Sequence, residues 1–477
     1  MLMNNSFQSR GRHAGFGPRT VLTLTAAALL GACAQMPAYQ RPAAPIAAQW
    51  PGTPTTPQAA PAIAASESKV IWQDFFADPS LRQLINTALA NNRDLRVAVL
   101  VMEQASAQLG IKRADQWPTL SAQVAASRAP NSSGGITSAY QAGLAVTAYE
   151  MDFFGRVASL KEQALAQFLA TQEASHTVRI SLMSAVAQTW LGLLADEELL
   201  AISKQTLSTR EGSLKLVKLR FDNGASSELD LHQAQSLLES ARVTLAQQQR
   251  QRAQGENALV LLLGQALPDE VRQRLAGQKL TQVRLPEVPS GLPSDLLTRR
   301  PDIRQAEQQL LSANANIGAA RAAFFPRISL TAGVGSASSE LSGLFKDGSW
   351  GFTLAPQLVL PLLDAGRNQS MLASAKVGFD MAVAQYEKSI QSAFREVADA
   401  LAGRETLAQQ LQAQQAQLEA ETARLRLTDL RYQNGAANQL EWLDAQRSQF
   451  ASQQALVQVR LAYLQNQVAL YKTLGGG

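Results

Sequence analysis

Along this chain the spacing of apolar residues changes in a fixed order, and the order occurs twice. Residues 92–115 and 300–323 each predict a helix that stops ahead of Pro118 or Pro326, where a proline forbids further helix. The period then falls to two. Leu120, Ala122, Val124 and Ala126 alternate with Ser121, Gln123 and Ser127, and Ile328, Leu330, Ala332 and Val334 alternate in the same way. This is the pattern of a half-buried strand. A Gly/Ser-rich turn leads from each into a second alternating strand, near 139–150 and 350–361, so hairpins are predicted at 118–150 and 326–361.

Long helices follow. Residues 156–221 and 367–432 lack proline and are rich in Ala, Gln, Leu and Glu. At 1.5 Å per residue each is ~100 Å long, well beyond a compact domain. Leu200, Leu207, Leu214 and Phe221 recur every seventh residue, as do Leu411, Leu418, Leu425 and Tyr432, the spacing of coiled-coil packing. Return helices are predicted at 227–264 and 438–474. A return helix and a short helix together nearly match a long one, so they can stack end to end beside it.

The order repeats because the sequence does. An offset of 208 residues lays Asp94-Leu95-Arg96 on Asp302-Ile303-Arg304, and Arg113-Ala114 on Arg321-Ala322. An offset of 211 lays Arg220-Phe221-Asp222-Asn223-Gly224-Ala225 on Arg431-Tyr432-Gln433-Asn434-Gly435-Ala436. Residues 69–275 and 276–477 are therefore two copies of one helix–hairpin–helix module, in a mainly α chain with four β-strands. Four strands leave open edges, which lipid does not tolerate; three chains would close a twelve-stranded barrel.

Composition changes this picture mainly at the N-terminus. Arg10, Arg12 and Arg19 precede a short apolar stretch, Val21 to Leu30, that ends in Leu30-Gly31-Ala32-Cys33. Such a segment reads as a signal peptide (1–32), with Cys33, the only cysteine, as the lipidation site. Residues 33–68, rich in Pro, Ala, Thr and Gln, read as a lipid-anchored tether. The formal charge of +5 loses three arginines with the leader, so the mature chain offers no electrostatic case for nucleic acid. His176 and His232 sit on helical stretches without a metal-ligand cluster, and no phosphate loop or nucleophile motif is present. No catalytic residue, metal site or cofactor is expected apart from the covalent lipid.

Arg299-Arg300-Pro301-Asp302-Ile303-Arg304-Gln305-Ala306-Glu307, with Ile317-Gly318-Ala319-Ala320-Arg321-Ala322-Ala323-Phe324-Phe325-Pro326, resembles the signature of TolC-like outer-membrane efflux proteins. Glu150-Met151-Asp152-Phe153-Phe154-Gly155-Arg156 and the Arg-aromatic-x-x-Gly…Leu…Ala-Gln pattern at 220–235 and 431–446 are similar to the lipidated OprM/NodT branch. The resemblance implies a homotrimer whose outer-membrane β-barrel continues into a periplasmic α-helical barrel. It also implies a periplasmic membrane-fusion (adaptor) protein and an inner-membrane RND-type pump as partners, and export of drugs or other small toxic compounds. A type I protein-secretion duct and a coiled-coil scaffold lipoprotein without a pore are the rival readings.

By the same resemblance, the hairpin tips Arg220, Asn223, Gly224, Arg431, Asn434 and Gly435 would meet the adaptor. Glu441 and Asp444, repeated by a threefold axis, would ring the tunnel mouth, with Asp230 bonding Tyr432 of a neighbouring helix to hold it shut. Some relatives carry an arginine two residues past the second glycine. This chain has Ala437 there, which implies a looser or differently built latch.

Overall fold

Prolines, caps and the change from period two to period 3.6 place the elements. The computed structural model describes residues 35–47, 49–51, 71–130, 132, 134–289 and 296–476. Cys33, the signal segment and residues 52–70 of the tether lie outside them. Helices α1 (Trp72–Phe75), α2 (Pro79–Asn91) and α3 (Arg93–Ala114) lead to strands β1 (Leu120–Pro130) and β2 (Ile136–Glu150). The long α4 (Arg156–Asp222), the return helix α5 (Glu228–Leu263) and the short α6 (Asp269–Leu275) and α7 (Leu296–Arg299) follow. The second repeat supplies α8 (Pro301–Ala322), β3 (Arg327–Ser338), β4 (Trp350–Val359), the long α9 (Arg367–Gln433) and the return helix α10 (Gln439–Thr473).

The chain forms two compact units, and each draws on both repeats. One holds residues 107–167 and 310–382 with the described chain up to Arg41. Its centre is an antiparallel sheet in the order β1-β2-β3-β4. Cross-strand partners share a face, so the register sorts side chains into two layers. Ala122, Leu144, Val334 and Phe352 form one row, and Leu120, Val146, Ala332 and Leu354 the next. The opposite layer carries Gln123, Gly143, Gly335 and Gly351, then Ser121, Ala145, Gly333 and Thr353. A β-bulge between Val146 and Tyr149 puts Ala148 at a φ of 51°. The apolar layer is bare, with Phe352 84% exposed. In the same unit Asn314 donates from Nδ2 to the Pro37 carbonyl at 2.9 Å, so the start of the tether lies on α8 rather than running free.

The other unit holds residues 42–106, 168–309 and 383–477. Asp78 caps α2 by accepting from the Leu81 amide at 2.7 Å. Phe75, Phe76, Leu84, Trp190, Leu194, Leu263, Val271 and Tyr471 form its main core, where Phe75 and Tyr471 stack at 4.2 Å. Burial pushes the Tyr471 hydroxyl up to about 12. Helix α4 is long and apolar enough to cross a membrane, but most of its apolar window is buried against its own chain. Trp50, expected in the free tether, is instead buried and stacked on Phe394 at 5.0 Å.

The repeat is visible in the bonds. Asn92 Nδ2 donates to the Leu262 carbonyl at 2.9 Å, and Arg300 Nη1 donates to the Thr473 carbonyl at 3.1 Å. Donors and acceptors are displaced by the same offsets found in the sequence. In each copy the end of the return helix thus meets the start of the short helix. The expected coiled-coil line is only part of the buried stripe, with Leu200 buried and Leu207 and Leu214 half-buried. Ser203, Arg210 and Val217 are the buried seventh residues of α4, whereas Phe221 at the end of the leucine line is exposed.

Candidate functional site

The two hairpin turns end the long helices in the same way. Gly224 and Gly435 have φ of 71° and 72°, a left-handed conformation in which L side chains are strained, and a Cβ there would meet nothing within 4 Å. Backbone conformation, not crowding, requires glycine here. The Ala225 amide donates to the Arg220 carbonyl and the Ala436 amide to the Arg431 carbonyl, both at 2.8 Å. Asn223 and Asn434 each donate from Nδ2 to a carbonyl four residues back, Leu219 and Leu430, at 2.7 Å. These bonds satisfy carbonyls that a helix end leaves without partners.

The return helices begin at Ser227 and Asn438, which accept from the amides of Asp230 and Glu441. Asp230 and Glu441 hold the same repeat position but act differently. The Asp230 carboxylate accepts from the Ser227 hydroxyl at 2.7 Å and from the Ser227 amide at 3.1 Å, closing a capping box. The Ser227 hydrogen bond holds its pKa below the usual carboxylate range. Glu441 instead reaches across its hairpin and accepts from Arg431 Nη1 at 2.6 Å.

This difference decides the fate of Arg220, the repeat partner of Arg431. With Asp230 committed to the cap, Arg220 crosses into the second repeat and donates from Nη1 to the Tyr432 hydroxyl at 2.7 Å. Its guanidinium carbon lies 4.8 Å from the Tyr432 ring centre. Tyr432 stacks on Trp442 at 4.7 Å with the rings 6° apart, and Trp442 Nε1 donates to Asp429 Oδ1 at 3.0 Å. The expected Asp230–Tyr432 bond is therefore not made within the chain: the cap holds the one and Arg220 the other. Ala437 packs against the Tyr432–Trp442–Leu443 cluster.

Asp444 is not a bare acid. It accepts from Arg424 Nη2 at 2.6 Å and from Arg447, and the Arg424 hydrogen bond lowers its pKa. Deeper in the bundle Arg210 is buried and donates to Gln446 Oε1. Burial, with Arg447 nearby, pulls its pKa below the usual arginine range. Gln439 Nε2 donates to the Asp230 carbonyl at 3.3 Å. Three polar contacts thus join the first repeat's hairpin to the second's.

A protein-family model described as outer membrane efflux protein matches residues 84–265 and 292–476. The antibiotic efflux pump outer membrane protein ArpC of Pseudomonas putida is 46% identical over 468 residues, 96% of each chain. The toluene efflux pump outer membrane protein TtgC of the same species matches to the same extent. Among solved structures, the open-state MtrE outer membrane channel of Neisseria gonorrhoeae superposes with a TM-score of 0.84 at 37% identity, covering 93% of this chain and 98% of that one. The chain belongs to the outer membrane efflux protein family. It is an efflux channel of the Gram-negative outer membrane, with the TolC-like fold.

Several tip residues of this channel escaped the sequence reading. Trp442, Asp429, Arg424 and Arg447 hold the hairpin pairs together, and a signal for them existed. Residues at comparable separations before and after the Asn434-Gly435 turn face each other, as 424 faces 444 and 429 faces 442. Leu216 with Leu427, Leu219 with Leu430, and Leu229 with Leu440 are repeat partners, and all six are exposed.

Proposed function

We propose that this channel works as a homotrimer, the exit duct of a tripartite pump that expels antibiotics and organic solvents. The observation that carries this reading is the sheet, with one largely apolar layer, two unpaired edge strands and four strands per chain. Edges must be paired in lipid, and three chains make twelve strands, a permitted barrel size. The names of the ArpC and TtgC relatives favour antibiotics and toluene as the kinds of cargo.

A periplasmic adaptor and an inner-membrane RND-type pump complete the assembly. The turns at Gly224 and Gly435 face the adaptor. The side chains of Asn223, Arg431 and Asn434 fold back on their own hairpins and Arg220 is held by Tyr432, so the backbone turns and the six exposed leucines supply the contact. Glu441 and Asp444, each paired with arginine, line the aperture as ion pairs rather than as bare acidic rings. Arg220–Tyr432–Trp442 is the latch that ties the two hairpins of one chain. Cys33 carries the lipid anchor.

Deleting the chain in its host and comparing drug and solvent susceptibility with the profile of secreted proteins tests the assignment. Hypersensitivity restored by the intact chain is expected. Normal susceptibility with a lost secreted protein would instead establish the type I secretion duct.

A further inference from the structure

The β3–β4 connection, residues 339–349, folds back onto the sheet, and the face it chooses is informative. On β3 the apolar layer holds Ile328, Leu330, Ala332 and Val334, then two polar residues, Ser336 and Ser338. The connection covers both. Ser336 is 2% exposed; its hydroxyl bonds Ser349 Oγ at 2.7 Å and accepts from the Phe345 amide at 3.1 Å. Ser338 Oγ accepts from the Glu340 amide at 3.1 Å. The loop therefore lies over the apolar layer, taken above to face lipid, and not over the polar one.

Beside the exposed acids Glu340 and Asp347 it presents large apolar side chains. Leu341 is 66% exposed, Phe345 60% and Trp350 60%, and the Phe345 and Trp350 rings lie 6.1 Å apart. Phe345 holds a φ of 80°, which is rare for an aromatic residue, and its amide bond to Ser336 fixes it there. Lys346 is exposed and has no ion-pair partner among the described residues. Trp350 belongs to the row Val124–Ala142–Ser336–Trp350, so the patch continues the lipid-facing surface. Aromatic rings beside a lysine suit the boundary between acyl chains and polar headgroups.

We propose that residues 339–349, with Trp350 at the start of β4, form a lipid-seated collar: Leu341, Phe345 and Trp350 enter the acyl layer of the outer leaflet, and Lys346 reaches its polar surface. The helices join the sheet at its periplasmic end, which puts this connection at the outer one. The proposal rests on the assignment of the apolar layer to lipid, and the test separates the two.

Full-length channel carrying Phe345→Cys or Leu341→Cys is spin-labelled in vesicles of phosphatidylethanolamine and phosphatidylglycerol, with the unsubstituted chain as the blank for Cys33. Collision rates with oxygen and with a water-soluble nickel chelate are then compared. The oxygen-to-nickel ratio is expected to be several-fold higher at 345 and 341 than at Gln357→Cys on the polar layer, and close to that at Phe352→Cys. A ratio at 345 and 341 as low as at 357, with 352 still high, overturns the collar. A low ratio at 352 overturns the lipid-facing assignment and the collar with it.

Discussion

Asp230 and Glu441 occupy one position of a duplicated module, and a difference of one methylene accompanies two different bonding patterns. The shorter Asp230 returns to its own helix cap, while the longer Glu441 spans the hairpin to Arg431. Because Glu441 and Asp444 offset Arg431, Arg424 and Arg447, removing them does more than delete negative charge. E441A/D444A channels in planar bilayers are expected to lose cation preference, lose divalent-ion block and shift toward anions. Unchanged selectivity would remove these residues from the aperture. Asp196 offers a second test. Burial, with Glu197 beside it, pushes its carboxyl up to about 6, above the ~3.9 of an unfolded aspartate. The folded state then binds the proton more tightly, so this contribution favours folding below about pH 4 and is lost as pH rises through 6. D196N should therefore raise the melting temperature at pH 7.5 relative to wild type, and the gain should vanish in acid. A pH-independent difference would refute this account.

At the scale of the element, the hairpins separate cap from conformation. Asn438→Ala removes one cap bond and is expected to cost about 1 kcal/mol, read as faster hydrogen exchange in the first turn of α10. Gly435→Val forces a β-branched residue to a φ of 72°, which is expected to open the turn, and efflux should fail while trimers persist. Normal drug resistance in G435V would rule out a docking role for that tip. Helix limits were largely legible, because prolines, glycines and caps act locally: the structure has α4 at Arg156–Asp222 against an expected 156–221. The packing line was legible only in part. Seven-residue periodicity finds a stripe but not its partner, and within one chain α4 buries Ser203, Arg210 and Val217. The leucines at 216, 219, 427 and 430 stay exposed within the chain, in keeping with the proposed adaptor contact. Helix α2 also went unread, since its core-facing residues Leu81, Leu84, Ile85 and Ala88 lie outside the repeated pattern.

For the whole molecule, the two layers of the sheet make a directional prediction. Phe352→Arg puts a charge in the lipid-facing layer, at a cost of about 2–4 kcal/mol near the bilayer centre, whereas Gln357→Arg adds one to the pore layer. F352R is expected to lower the yield of heat-resistant trimers, and Q357R to leave it intact and alter conductance. Equal yields would contradict the assignment of faces. Sequence alone determined the duplication, the four strands, the long helices and the positions of both tips, because periodicity, proline and glycine act through neighbouring residues. Only the tertiary structure decided that Arg220 meets Tyr432, that Asp230 serves its own cap, and that the β3–β4 connection lies on the apolar layer. Those outcomes depend on side-chain reach and on contacts between segments far apart in the chain, which no local pattern encodes.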